Sequence, residues 1–177
     1  MKITMILTII IIIIFIYLIY EKYNIKHFTN SYDNTQINEL NKTSKPYLWQ
    51  YWEGNMPDYI SLCMETVDNH CSKDFNIIRL NKQNIQMYLP EIKQYNDKIN
   101  KLIIPHQVDI YRIMLLYKYG GIYMDADVIV LRNPIEIINK LKEFDFVGFG
   151  CTGEICTYGY GNPSNWLLAS RPNTLLM

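Results

Sequence analysis

Strands alternating with helices along most of this 177-residue chain predict an α/β domain with a mostly parallel sheet. Three observations carry that expectation. Short apolar runs rich in aromatic and β-branched residues, at 47–52, 74–80, 122–124 and 144–149, read as strands. Apolar residues recur at helical spacing between them, as Ile60, Met64 and Val67 and again from Val108 to Tyr117. At one helix-to-strand junction stands Gly120-Gly121, where glycine tolerates the left-handed backbone of a helix end.

The stretch from Pro105 to Pro134 is the most informative. Val108, Ile110, Ile113, Met114, Leu115, Leu116 and Tyr117 give a broad apolar helical face, and the three-residue spacing of Asp109 and Arg112 puts both on one side of that helix. After the glycine pair, Ile122-Tyr123-Met124 forms a short strand that delivers Asp125-Ala126-Asp127. Val128 to Leu131 reads as extended and Ile135 to Leu141 as helical. Upstream, Tyr59 to Asn69 and Gln83 to Leu89 read as helices, the latter ended by Pro90. Asn165 to Ser170 reads as one more buried segment.

A composition 49% hydrophobic and 14% aromatic supplies a full core and excludes a disordered chain. A formal net charge of +0 gives no general attraction to nucleic acid, so any phosphate site must be local. The four cysteines, Cys63, Cys71, Cys151 and Cys156, lack the paired spacing of a structural zinc site. Two disulfides in an oxidising lumen and four thiols both fit.

The uncharged run from Ile3 to Tyr20 would span roughly 27 Å as a helix, close to a bilayer's hydrocarbon core. Lys2, Lys22 and Lys26 flank it, Tyr17 and Tyr20 suit the interface, and no small-residue cleavage site follows. Residues 1–20 are therefore expected to be a single-pass membrane anchor rather than a cleaved signal peptide, with its orientation open. Residues 21–45 are polar and aperiodic, a stalk carrying a sequon at Asn41-Lys42-Thr43, and 46–177 form the folded domain.

Alternation along an extended chain would place Asp125 and Asp127 on one face. Two carboxylates at the carboxyl end of an α/β strand suit a hard divalent cation, Mn²⁺ or Mg²⁺, that bridges them to a diphosphate. Arg112 offers a planar donor fork to phosphate, and Asp109 an acceptor for sugar hydroxyls. A plain polar turn is the alternative for a lone D-x-D, and an Asp109–Arg112 salt bridge the alternative for that pair.

The pattern formed by Asp109, Arg112, Leu116, Gly120, Gly121, Tyr123, Asp125 and Asp127 resembles the DXD sugar-binding region of nucleotide-sugar glycosyltransferases. That group includes capsular polysaccharide synthesis proteins. Trp49 to Gly54 with Pro57, Phe75 to Asn81, and Tyr88 to Glu91 extend the resemblance in order, from about Pro46 to Phe149. The resemblance implies a GT-A domain, a Rossmann-like fold that transfers sugar from a UDP- or GDP-sugar with retention of configuration. The acceptor would be a glycan, lipid or protein.

By position, it implies that Asp125 and Asp127 are the catalytic, metal-holding pair. Asp109 and Arg112 would contact the donor, Tyr123 would lie beside its diphosphate, and Trp52 would stack on its base, unless Trp52 is a core residue. Asp145 and Asn165 stand where acceptor-side or sugar-contacting groups occur. Val108 departs from the usual small residue, and relatives continue past the position of Met177, with a further metal-proximal residue and much of the acceptor pocket expected there.

Two rivals are open. A haloacid-dehalogenase-type phosphatase also uses D-x-D after an apolar strand, but it opens with that motif and needs a later lysine, and none follows Lys142. A membrane-anchored nucleotide-sugar-binding remnant would keep the donor fold without catalysis.

Overall fold

The structure is a computed structural model that describes residues 45–150 and 163–174, within the compact unit Thr43–Met177. The expected anchor, the stalk up to Ser44, the sequon, Cys151 and Cys156 lie outside the described residues. Among the described residues, no helix is long and apolar enough to cross a membrane.

Strand β1 (Tyr47–Tyr51) leads into helix α1 (Asp58–Cys71) and strand β2 (Asn76–Leu80). Two short helices, α2 (Ile85–Tyr88) and α3 (Asn96–Ile99), flank a 3₁₀ turn at Pro90–Tyr95. The long helix α4 (Ile104–Tyr119) precedes β3 (Gly121–Met124), then α5 (Ile135–Lys140), β4 (Phe146–Gly150) and β5 (Pro163–Ser170). The expected helix at 83–89 is thus one turn in a broken segment. Pro90 cannot donate the backbone hydrogen bond that would continue it.

The five strands form one sheet in the order β2-β1-β3-β5-β4. β1 pairs in parallel with both β2 and β3, whereas β5 is antiparallel to both β3 and β4. Four strands therefore share a direction and one reversed strand is inserted among them. The sheet is mixed rather than mostly parallel, in a Rossmann-like α/β arrangement.

β1 is buried at every position, as a central strand covered on both faces must be. On one face Leu48, Ile122, Met124, Leu167 and Ala169 pack with Val67 and Cys71 of α1. Ile60, Cys63, Met64, Val67 and Cys71 make that helix's buried stripe. Cys63 and Cys71 are buried free thiols. On the other face Trp49 and Tyr51 meet Tyr119 and Tyr111 of α4 at ring separations of 5.4 and 5.5 Å. The buried face of α4 is Val108, Tyr111, Arg112, Leu115, Leu116 and Tyr119, whereas Ile113, expected inside, is exposed.

The junction from α4 to β3 holds the sheet together at close quarters. The Trp49 indole N–H donates to the Gly120 carbonyl at 2.9 Å. Gly120 has φ 68° and Gly121 φ 95°, and a Cβ on Gly121 would lie 2.3 Å from the Tyr47 carbonyl oxygen. Only glycine lets β3 approach β1 this closely.

Gly121→Ala adds a backbone clash to an unfavourable φ, and we expect a loss of at least about 3 kcal/mol in chemical denaturation. Gly54→Ala, at φ 91° with no heavy atom within 4 Å of the new Cβ, should cost only about 1 kcal/mol. Equal losses for the two variants would refute the close-approach account.

Candidate functional site

β1 and β3 are parallel neighbours, so their carboxyl ends open on one edge of the sheet. Trp52 and Glu53 follow β1 there, and Asp125, Ala126 and Asp127 follow β3. The reversed direction of β5 brings its amino end, with Asn165 and Trp166, to the same edge. There the Asp125 backbone N–H donates to the Trp166 carbonyl at 2.8 Å.

The two aspartates are not oriented by strand alternation. β3 ends at Met124, and residues 125–128 form a turn in which the Val128 N–H reaches the Asp125 carbonyl at 3.3 Å. Nor do residues 128–131 continue as a strand. Ala126 is buried with Ile60 and Met64, and of the carboxylates on either side of it Asp125 is half-buried and Asp127 exposed. Trp52 packs against the same apolar cluster, and its indole N–H donates to the Asn55 carbonyl at 3.2 Å. Ala126 thus links the turn to Trp52.

Arg112 is the charged centre of the site. Its side chain is only 7% exposed, so its charge needs partners inside the protein. One guanidinium nitrogen lies 3.3 Å from Asp109 and 3.4 Å from Asp125, and the other donates to the Asn165 carbonyl. The guanidinium carbon stands 4.8 Å from the Tyr123 ring centroid, a cation–π contact in a desolvated setting. The Asn165 side-chain amide donates to Asp109 at 3.0 Å, closing the ring of contacts. The Asp109–Arg112 salt bridge therefore exists, as one part of a larger network.

Burial pushes the Asp125 carboxyl above its ordinary value; Arg112 pulls it down, while Asp127 and Asp109 push it further up. Burial likewise raises the Tyr123 phenol, with Arg112 opposing. The Tyr123 hydroxyl is buried and has no hydrogen-bond partner among the described residues. An orphan donor beside a carboxylate pair is a place for a ligand oxygen.

The residues fit a cation taken up together with a ligand. Among the described residues, no group of three or more His, Cys, Asp or Glu side chains could hold a metal ion. Two carboxylates at a rim, Asp125 and Asp127, are the number that commonly serves Mg²⁺ or Mn²⁺ when substrate phosphates and water complete the shell.

Of the residues singled out in the sequence, Asp109, Arg112, Tyr123, Asp125 and Asn165 meet directly, and Trp52 and Asp127 join them through the Ala126 turn. Asp145 does not. It precedes β4, whose direction matches β3, so it lies at the opposite sheet edge and pairs with Arg171. Sequence reading passed over Tyr51, Glu53 and Tyr111. The Tyr51 hydroxyl donates to Glu53 at 2.8 Å, and the Tyr51 ring packs on Tyr111. Alternation along 47–52, which sets Tyr51 on the Trp49 face, was the available signal.

Removing the guanidinium strands two carboxylates. Arg112→Ala should destabilise the fold by about 2–3 kcal/mol, the partial exposure of Asp109 and Asp125 holding it below a fully buried pair. Arg112→Lys should recover less than half, because one ammonium cannot span the same partners. Full recovery by lysine in urea denaturation would refute the network.

A raised carboxyl pKa makes the stabilising contribution of Asp125 complete below its unfolded value of about 3.9 and lost as pH rises through the folded value. Melting curves of wild type and Asp125→Asn should therefore diverge above about pH 4, the variant gaining stability relative to wild type as pH rises. Divergence in the opposite direction would contradict the burial account.

A family profile described as Capsular polysaccharide synthesis protein matches residues 15–177 of this chain. The chain is also similar to mouse (Mus musculus) lactosylceramide 4-alpha-galactosyltransferase, 50% identical over 38 residues, which are 22% of this chain and 11% of the mouse protein. The matched part thus spans about a tenth of the length of that curated relative. No solved structure matches the chain.

Proposed function

This chain belongs to the capsular polysaccharide synthesis protein family, and from that premise we propose that it is a metal-dependent glycosyltransferase with a GT-A domain. The donor is a nucleotide-diphosphate sugar, UDP- or GDP-linked, and the acceptor a hydroxyl of a glycan, lipid or protein. Transfer proceeds with retention, and residues 1–20 anchor the domain to a membrane through the polar stalk. The observation that supports the donor site most strongly is the placement of Asp125 beside Asp109, Arg112, Tyr123 and Asn165, at the edge where Trp52 also stands.

In the reaction the bond from the anomeric carbon to the diphosphate oxygen breaks. The acceptor oxygen bonds to that carbon and passes its proton to the departing diphosphate oxygen, and the nucleoside diphosphate leaves. Asp125 and Asp127 would hold a Mn²⁺ or Mg²⁺ ion, which neutralises charge on the departing diphosphate. Trp52 supplies a flat apolar surface for the base. Tyr123 offers its unpartnered hydroxyl to a diphosphate oxygen. Asp109 accepts from sugar hydroxyls while Asn165 and Arg112 fix its carboxylate.

For Arg112 we propose a role other than the one its position implies. With both terminal guanidinium nitrogens engaged by Asp109, Asp125 and the Asn165 carbonyl, it acts in this proposal as a positioning residue that sets the carboxylates, rather than as a phosphate clamp.

Hydrolysis of a panel of UDP- and GDP-sugars by the full chain tests the proposal. We expect Mn²⁺-dependent turnover of one donor, lowered at least about 100-fold by Asp127→Ala. No metal-dependent turnover of any donor would defeat the enzyme proposal. Mn²⁺-dependent nucleotide binding without turnover would instead identify a binding remnant.

A further inference from the structure

We propose that Glu53 is the carboxylate that binds the ribose hydroxyls of the nucleotide, held in position by the Tyr51 phenol. The inference rests on the donor-site proposal and deepens it, because it assigns a sugar-reading group to the nucleotide half of that site.

The placement follows from the strand ends. Glu53 is the residue after Trp52, beyond the carboxyl end of β1, and Asp125 follows β3 on the neighbouring strand. The register pairs Trp49 with Tyr123, so two residues further along Tyr51 comes level with Asp125. A nucleotide whose base lies on Trp52 and whose diphosphate reaches the Asp125–Asp127 turn must pass its ribose along this ledge. Glu53, next to Trp52 in the chain and joined to Tyr51, is the acidic group that the end of β1 offers on that path. Carboxylates at strand ends of α/β sheets serve ribose hydroxyls elsewhere by accepting two hydrogen bonds.

The side chain is prepared for that task. The Tyr51 hydroxyl donates to Glu53 Oε2 at 2.8 Å, while Oε1 accepts no hydrogen bond among the described residues. The Tyr51 ring is buried and packs on Tyr111 of α4, so the phenol cannot swing away. Glu53 itself is half-buried: accessible to a ligand, yet shielded enough for a hydrogen bond to discriminate. Gly54, with φ 91°, turns the chain away immediately afterwards and leaves the carboxylate on the ledge. Glu53 also makes no ion pair among the described residues that would explain its charge there.

The test compares binding of UDP with 2′-deoxy-UDP, and GDP with 2′-deoxy-GDP, to the full chain in Mn²⁺ by calorimetry. Wild type should prefer the ribonucleotide about tenfold, the scale of one charge-assisted hydrogen bond. Glu53→Ala should bring the ratio close to one while keeping Mn²⁺-dependent binding of the deoxynucleotide, and Glu53→Gln should leave a smaller preference. Tyr51→Phe should lower the ratio part-way, since the carboxylate loses its fixed orientation but not its charge.

A wild-type ratio of one, or an unchanged ratio in Glu53→Ala, would overturn the assignment and leave the donor site standing. Failure of wild type to bind any of the four nucleotides would overturn both. If Glu53 served only to satisfy the Tyr51 phenol, its variants would lower thermal stability and leave the ratio untouched.

Discussion

A buried guanidinium is the constraint around which this domain is arranged. Arg112 carries a positive charge on the inner face of α4, and that charge needs oxygen on several sides. Asp109 comes from the same helix one turn back, Asp125 from the end of β3, and the Asn165 carbonyl from the start of β5. Three segments separated in sequence are thereby held at one point. The reversed strand is part of the same solution: only an antiparallel β5 brings its amino end to the edge where β1 and β3 terminate.

Asp125 bears the cost of this arrangement in its ionisation. Asp125 is partly desolvated and faces two further aspartates, so its proton is held more tightly than in water despite Arg112. Three aspartates stand against the single Arg112 guanidinium, and under the proposed function a divalent cation arriving with a diphosphate would offset the excess. The orphan Tyr123 hydroxyl and the free oxygen of Glu53 have the same character, being polar groups whose partners the described residues do not provide.

Much of the fold could be read along the chain because local chemistry agreed with tertiary need. The stripe Ile60-Met64-Val67, the glycine pair before β3 and the aromatic run at 47–52 each announce an element that the structure contains. Reading failed where two local forms share one composition. Val128 to Leu131 has the residues of a strand, yet the turn at 125–128 takes it off the sheet, and Thr66 of α1 accepts from Val130 N–H instead. Ile113 has the spacing of a core residue, yet Arg112 and Tyr111 occupy the side of α4 that meets the sheet.

By itself the sequence determined the α/β class, the helix–glycine–strand unit and the residue types gathered at its end, because periodicity and glycine geometry are properties of neighbours in the chain. The tertiary structure alone decided the reversed β5, the union of Asn165 with Asp109 and Arg112, and the exclusion of Asp145. It also decided that Ala126 is buried beside Ile60 and Met64, between a half-buried Asp125 and an exposed Asp127. Each of these depends on strand order and direction, which are set by which surfaces bury one another, and no short stretch of chain carries that information.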